Sequence, residues 1–265
     1  MKLFIGMFLI ACVIIFAVFF ATSPTRGQKE QKDDATPVTR GQVTEKEKAY
    51  AKEYKKLYSY YKGRRFTDLI EESIGLGDTT AELGASVGGH EAFFMPGAPE
   101  ITLDEFLIKL SCKADAIVLG IVKTTNSRMT EDETFIYTAY DFSIQDILKN
   151  NPSFPIKNYS VIDVTRPGGL INLDSRRIRI SDLSYDPLQI NRSYLLFLKH
   201  VTNAEGYMPA APEGDFGFEN GSYFKLGKRP VPKELRSKIR SKELMIAIRR
   251  AVLSECKEEL KGEDQ

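Results

Sequence analysis

The sequence predicts a mostly β fold: a small β-barrel with a short helix before it and a long amphipathic helix after it. Three observations carry this. Within residues 101–262, five to seven short runs rich in Val, Ile, Tyr and Phe recur, separated by turn signals such as Asn220-Gly221. Helical periodicity is confined to the two ends of that region. Ahead of it, nineteen residues, 3–21, carry no charge at all.

That uncharged run, LFIGMFLIACVIIFAVFFA, is just long enough to cross a bilayer. It reads as an uncleaved transmembrane anchor or as a signal peptide. Phe19 fits a cleavage site poorly, which favours the anchor. Leu9-Ile10-Ala11-Cys12 resembles a lipobox, but cleavage there would leave Val13 to Ala21 apolar. The charges flanking the run, Lys2 against Arg26, Lys29 and Lys32, do not decide its orientation. Insertion as a loop favours the rest of the chain outside the cytoplasm, membrane-anchored through 3–21 or secreted. Residues 22–43 are polar with two prolines and two glycines and read as a flexible stalk. Residues 44–74 form a basic helical segment. In it Tyr50, Tyr54, Tyr58 and Tyr61 share one helix face, and Gly63 stops the run. Residues 75–100, rich in Gly and Ala with Pro96 and Pro99, read as a linker.

The domain starts at Ile101. Thr102 or Asp104 can cap a short helix built on Phe106, Leu107 and Leu110. Strands are predicted over 114–125, 135–148 (with one slip in its alternation, suiting a bulge), 159–165, 177–180 and 194–201. Shorter strands come after them at Tyr207, 216–218 and 223–226. The third strand is expected to stop at Arg166-Pro167-Gly168-Gly169. Pro232 is expected to open the final helix, with Leu235, Ile239, Met245, Ile248, Val252, Cys256 and Leu260 as its apolar stripe.

A short helix running into Cys112, then Ala114-Asp115-Ala116-Ile117-Val118-Leu119-Gly120, several strands and a last helix carrying Cys256 resembles the netrin-like module. This is the OB-type barrel of the tissue inhibitors of metalloproteinases, and the resemblance covers about residues 102–260. It implies an OB-type barrel and a bridge between Cys112 and Cys256. The inhibitors act through a cysteine at the mature amino terminus, whereas Cys112 lies behind a long stalk. The resemblance therefore implies a fold rather than an activity. Apart from the family, two thiols in an exported chain oxidise when they are close. Two buried free cysteines are the alternative.

Three cysteines and two histidines are too few and too scattered for a zinc site, and no cofactor is implied. Gly84-Ala85-Ser86-Val87-Gly88 matches a nucleophile elbow with a weak strand, Thr79–Leu83, before it, but Gly89-His90 comes next rather than a helix. Ser86 and His90 are the residues an exported hydrolase would use. His200 reads as a strand-end residue. Acidic residues at Glu131–Glu133 and Asp182/Asp186 lack calcium-loop spacing and read as solvated turns. Asn158, Asn191 and Asn220 each open a sequon.

Charge is segregated. Residues 43–66 hold eight Lys/Arg against three Glu, and 225–250 hold ten against two; 67–224 hold twelve against twenty-three Asp/Glu. The basic helices either lie on the acidic domain and neutralise it, or face an anionic envelope surface. For the second case the contacts are Lys233, Arg236, Arg240, Arg249 and Arg250. The acidic centre opposes nucleic-acid binding. The expected function is a non-catalytic binding or scaffold module. Its candidate ligand face is Arg166, Arg176, Arg177 and Arg179, with Tyr159 nearby; strand-edge arginines that keep a sheet soluble are the alternative reading.

Overall fold

A computed structural model describes residues 36–37, 44–57, 80–85, 101–173, 176–182, 184–227, 231–254 and 256. The 3–21 run, Cys12, Tyr58, Tyr61, Gly63, Ser86, His90 and Leu260 lie outside the described residues. Among those described, no helix is long and apolar enough to cross a membrane.

The described chain is mostly β. Its elements run β1 (Thr36–Pro37), α1 (Glu45–Leu57), β2 (Thr80–Ala85), α2 (Leu103–Lys113), β3 (Ala116–Met129), β4 (Ile136–Lys149) and β5 (Val161–Pro167). Then come β6 (Gly169–Leu173), β7 (Arg176–Asp182), β8 (Ser193–Val201), β9 (Gly206–Pro209), β10 (Asp215–Glu219), β11 (Ser222–Lys225), β12 (Ile239–Arg240) and α3 (Ser241–Leu253). An eight-stranded sheet has the order β12-β11-β10-β8-β3-β4-β5-β9, and a four-stranded sheet the order β1-β6-β7-β2. β9 pairs parallel with β5 and antiparallel with β8. The pairings of β3, β4, β5, β9 and β8 therefore succeed one another in a ring.

Local chemistry explains the entry to the large sheet. Thr102 caps α2: its hydroxyl accepts the Glu105 amide, and the Glu105 carboxylate accepts the Thr102 amide. Phe106, Leu107 and Leu110 are buried with Leu195, Phe197 and Phe216, and Leu244, Ile248 and Ala251 of α3 close the same cluster. Burying each of the larger side chains contributes roughly 1.5–3 kcal/mol. At the end of α2, Lys149 Nζ donates to the carbonyls of Ser111 (2.7 Å) and Ala114 (2.6 Å), satisfying groups the helix leaves open. Asp115 then accepts the His200 amide at 2.7 Å and ties the start of β3 to β8. A second buried cluster lies around Val118, Phe142, Val164 and Leu196.

Several boundaries differ from expectation. The predicted slip in the second strand is three register shifts in the β3–β4 pairing. The third strand does end at Pro167, as predicted, but a strand that was not predicted, β6, starts at Gly169 and pairs with β7. Within the expected stalk, Thr36–Pro37 pairs with β6. Within the expected linker, Thr80–Ala85 pairs with β7 over six residues. The second overlaps the weak strand read at Thr79–Leu83, the first was not read as a strand, and in both cases a distant strand edge supplies the partner. The final helix starts at Ser241 rather than Pro232. Lys233–Leu235 make a 3₁₀ turn, and Ile239 and Arg240 pair with β11 instead of coiling. Asn220 (φ 51°) and Gly221 (φ 76°) make the β10–β11 turn as predicted, both in the left-handed region that hairpin requires.

Candidate functional site

Cys112 and Cys256 stand at bonding distance, with Cα atoms 5.6 Å apart and a sequence separation of 144. The bond fastens the end of α2 to the residue just past α3. This is the pairing that the family resemblance implied.

The four arginines expected to share a ligand face do not share one environment. Arg166 is 2% exposed. Its Nη1 donates to the Asp186 carbonyl, its Nη2 lies 2.8 Å from Asp215 Oδ2, and the Tyr185 ring sits 5.3 Å from its guanidinium carbon. That makes it an interior cation. The Asp215 contact is ionic without hydrogen-bond alignment, and neither carboxylate oxygen receives a donor. Burial raises the Asp215 carboxyl to about 6 against the opposing pull of Arg166 and Lys225. Arg177 is exposed and Arg179 partly so, both on β7 in the smaller sheet with Arg176. Tyr159 is 84% exposed at φ 63°.

The basic segments lie against acidic partners. On α1, Lys46 pairs with Asp163 at 2.7 Å, and Lys55 pairs with Asp132. Near α3, Arg249 approaches Asp146 at 3.5 Å and Arg250 approaches Asp104 at 3.3 Å. Arg240 pairs with Glu243, Arg236 donates to the Val231 carbonyl, and Lys233 is exposed. These pairs around α3 are solvent-exposed, so each is worth little. The outward side of α3 also carries Ile246, 50% exposed, and Leu253, 85% exposed, beside Lys242, Arg249 and Arg250.

The acidic turns are only partly as expected. Asp132 is held by Lys55 and its carboxyl lies below the usual range, the ion pair and local hydroxyls outweighing burial. Asp182 is buried and accepts the Ser184 amide, so it is a structural turn acceptor and not solvated. Asp186 accepts the Gly227 amide. Among the described residues no group of three or more His, Cys, Asp or Glu is placed to hold a metal. His200 stacks on Phe154 at 4.2 Å and tilts against Tyr207 at 5.3 Å. Asn158, Asn191 and Asn220 are all exposed, and the last two occupy left-handed turn positions.

Sequence reasoning missed an open cleft of about 400 Å³ between residues 186–194 and strands β10 and β11. Asp186, Gln189, Arg192 and Glu219 are among its polar lining residues, and Tyr194, Phe218, Phe224 and Leu226 among its apolar and aromatic ones. Gly217 is aligned across the strands between Tyr194 and Phe224. A Cβ at Gly217 would meet the Phe224 ring at 2.3 Å, so only glycine lets that ring lie against the β10 backbone. The signal was present as a glycine between two aromatics in a strand, but the cross-strand partner is a tertiary fact. No family model matches the chain, and comparison with curated proteins finds no match.

Proposed function

We propose that this chain is a non-catalytic binding module held at the outer face of a membrane, with a netrin-like OB-type barrel as its folded part. The observation that carries the reading is the Cys112–Cys256 bond in a chain whose residues 3–21 are long and apolar enough to span a bilayer. The ring of strand pairings, capped by α2 and tied through Cys112 to the end of α3, supports the barrel. Such barrels bind ligands on strand faces and loops, and the cleft beside Phe224 is an open concavity that could hold one.

The test is thiol labelling of the full chain expressed in cells with an intact envelope, quenched with acid and denatured without reductant. The expected result is that Cys112 and Cys256 are unlabelled and that added protease reaches residues 44–254 without lysis. Two labelled thiols, or protection of the domain until lysis, would overturn the reading.

A second reading, attachment to an anionic envelope surface, is favoured by the exposed Ile246 and Leu253 among Lys242, Arg249 and Arg250. Membranes prepared with and without anionic lipid discriminate it. Protection of Arg249 and Arg250 from arginine-specific modification in anionic vesicles alone supports it, and equal modification in both removes it.

A further inference from the structure

We infer that the surface formed by β4, β5 and β9 is a docking site for basic, tyrosine-bearing helices, and that α1 occupies it in cis. The inference rests on the binding-module reading. In OB-type barrels the face of the second and third strands, with the loops beside it, is where ligands are held. By order of pairing those strands are β4 and β5, and the flanking connections are residues 130–135 and 202–205.

α1 lies there. Tyr54 is fully buried, stacks on Phe135 at 4.9 Å and Tyr137 at 5.7 Å, and donates its hydroxyl to Thr165 Oγ1 at 2.9 Å. Tyr50 donates to Asp163 Oδ2 at 3.2 Å, and Lys46 pairs with the same carboxylate. At one flanking connection Lys55 pairs with Asp132. At the other, Ala204 packs in the same apolar cluster as Tyr50 and Tyr54. The backbone is shaped for this helix: a Cβ at Gly206 would lie 1.8 Å from the Tyr50 hydroxyl. The surface thus offers two aromatic berths one helical turn apart, each ending in an acceptor, with carboxylates outside them. Its complement is a helix with Tyr at i and i+4 and Lys on either side.

α1 is suited to yield that place. Thirteen residues are too few to hold a helix unaided in water. Its hold on the domain is two tyrosines, a small apolar cluster and exposed or half-exposed ion pairs. A partner helix of the same pattern would compete for the berths, with the tether giving α1 an effective concentration on the order of millimolar.

The experiment uses a fluorescein-labelled peptide of residues 44–57 and the full chain in detergent micelles, read by fluorescence anisotropy. Tyr50→Ala/Tyr54→Ala vacates the berths. Lys46→Glu/Lys55→Glu weakens only the outer ion pairs and serves where the first variant does not fold, intact folding being read from the Cys112–Cys256 link and hydrogen exchange of β3 and β4. The expected result is saturable binding to the variants, at least about tenfold tighter than to the wild-type chain, whose own helix competes. A peptide with both tyrosines replaced by alanine is expected not to bind. Equal binding to wild type and variants, binding by the alanine peptide, or no binding to a folded variant would overturn the inference. Those results leave the thiol-labelling test untouched, so the two readings fail separately.

Discussion

Arg166 Nη2 stands 2.8 Å from Asp215 Oδ2 with 2% and 0% of the two side chains exposed. The two come from distant strands: Arg166 lies near the end of β5, just before Pro167-Gly168-Gly169, and Asp215 opens β10 after Glu213-Gly214. Burial is the dominant influence on the carboxyl, and Arg166 only partly offsets it. An acid whose folded pKa is raised contributes stability below its unfolded value near 3.8, and that contribution is lost as pH rises through about 6.

Arg166→Met removes the partner that opposes the rise, so Asp215 resists ionisation further. The variant is expected to lose about 3–5 kcal/mol at pH 8 and clearly less at pH 5, read by urea denaturation. Arg166→Met/Asp215→Leu removes both charges and is expected to recover most of the loss. A pH-independent penalty in the single variant, or no recovery in the double, would falsify the account.

Opening the Cys112–Cys256 bond releases a 144-residue separation. Cys112→Ser/Cys256→Ser is expected to lower stability by about 4 kcal/mol, with the unbridged chain gaining freedom in the unfolded state. The check is the urea midpoint of wild type with and without reductant beside that of the variant. Identical midpoints in all three samples would mean the bond does not constrain the chain.

Tyr54→Phe deletes the hydroxyl bonded to Thr165 and is expected to cost about 1 kcal/mol. Tyr54→Ala is expected to speed amide exchange across residues 45–57 while β3 and β4 keep their protection, because α1 packs on the sheet rather than within it. Gly206→Ala reaches the same outcome from the other side, by pushing on Tyr50. Global unfolding in either variant would show that α1 is integral to the large sheet.

His200 is held below its usual pKa by burial, with Asp115 opposing. Its contribution to stability is therefore present above pH 6.5 and lost as pH falls through the lowered folded value. Imidazole proton shifts in NMR should titrate below 6.5 in the folded chain and normally in denaturant. A folded midpoint above 6.5 would reverse the argument.

Gly217→Val places atoms where the Phe224 ring lies. The expected result is a loss of about 1–3 kcal/mol and a changed environment for Phe224 and Tyr194, seen in their ring proton shifts. Unchanged shifts would mean the ring is not seated on the β10 backbone.

Most β segments of residues 101–226, a cap at Thr102 or Asp104, the Asn220-Gly221 turn and the shared face of Tyr50 and Tyr54 were legible because each is set by local periodicity or turn chemistry; the strands at 169–173 and 239–240 were not. The Cys112–Cys256 bond was reachable through the family resemblance and through the chemistry of two thiols in an exported chain, but only the fold brings the two together. The berths of α1 were half legible: the tyrosine spacing lies in the sequence, but Asp163, Thr165 and Gly206 sit more than a hundred residues away. Arg166 shows the opposite outcome. An arginine beside Pro-Gly-Gly looks like a surface residue, and only its meeting with Asp215 takes it inside.

By itself, then, the sequence determined most of the extended stretches of the domain, the start of the helix after Thr102, and which run is apolar enough for a membrane. The tertiary structure alone decided the strand order, the inclusion of residues 36–37 in a sheet, the partner of the strand at 80–85, the burial of Arg166, and the cleft beside Phe224. The physical reason is range. Caps, turns and amphipathic stripes act over a few residues, whereas strand pairing and charge burial depend on what another part of the chain brings alongside.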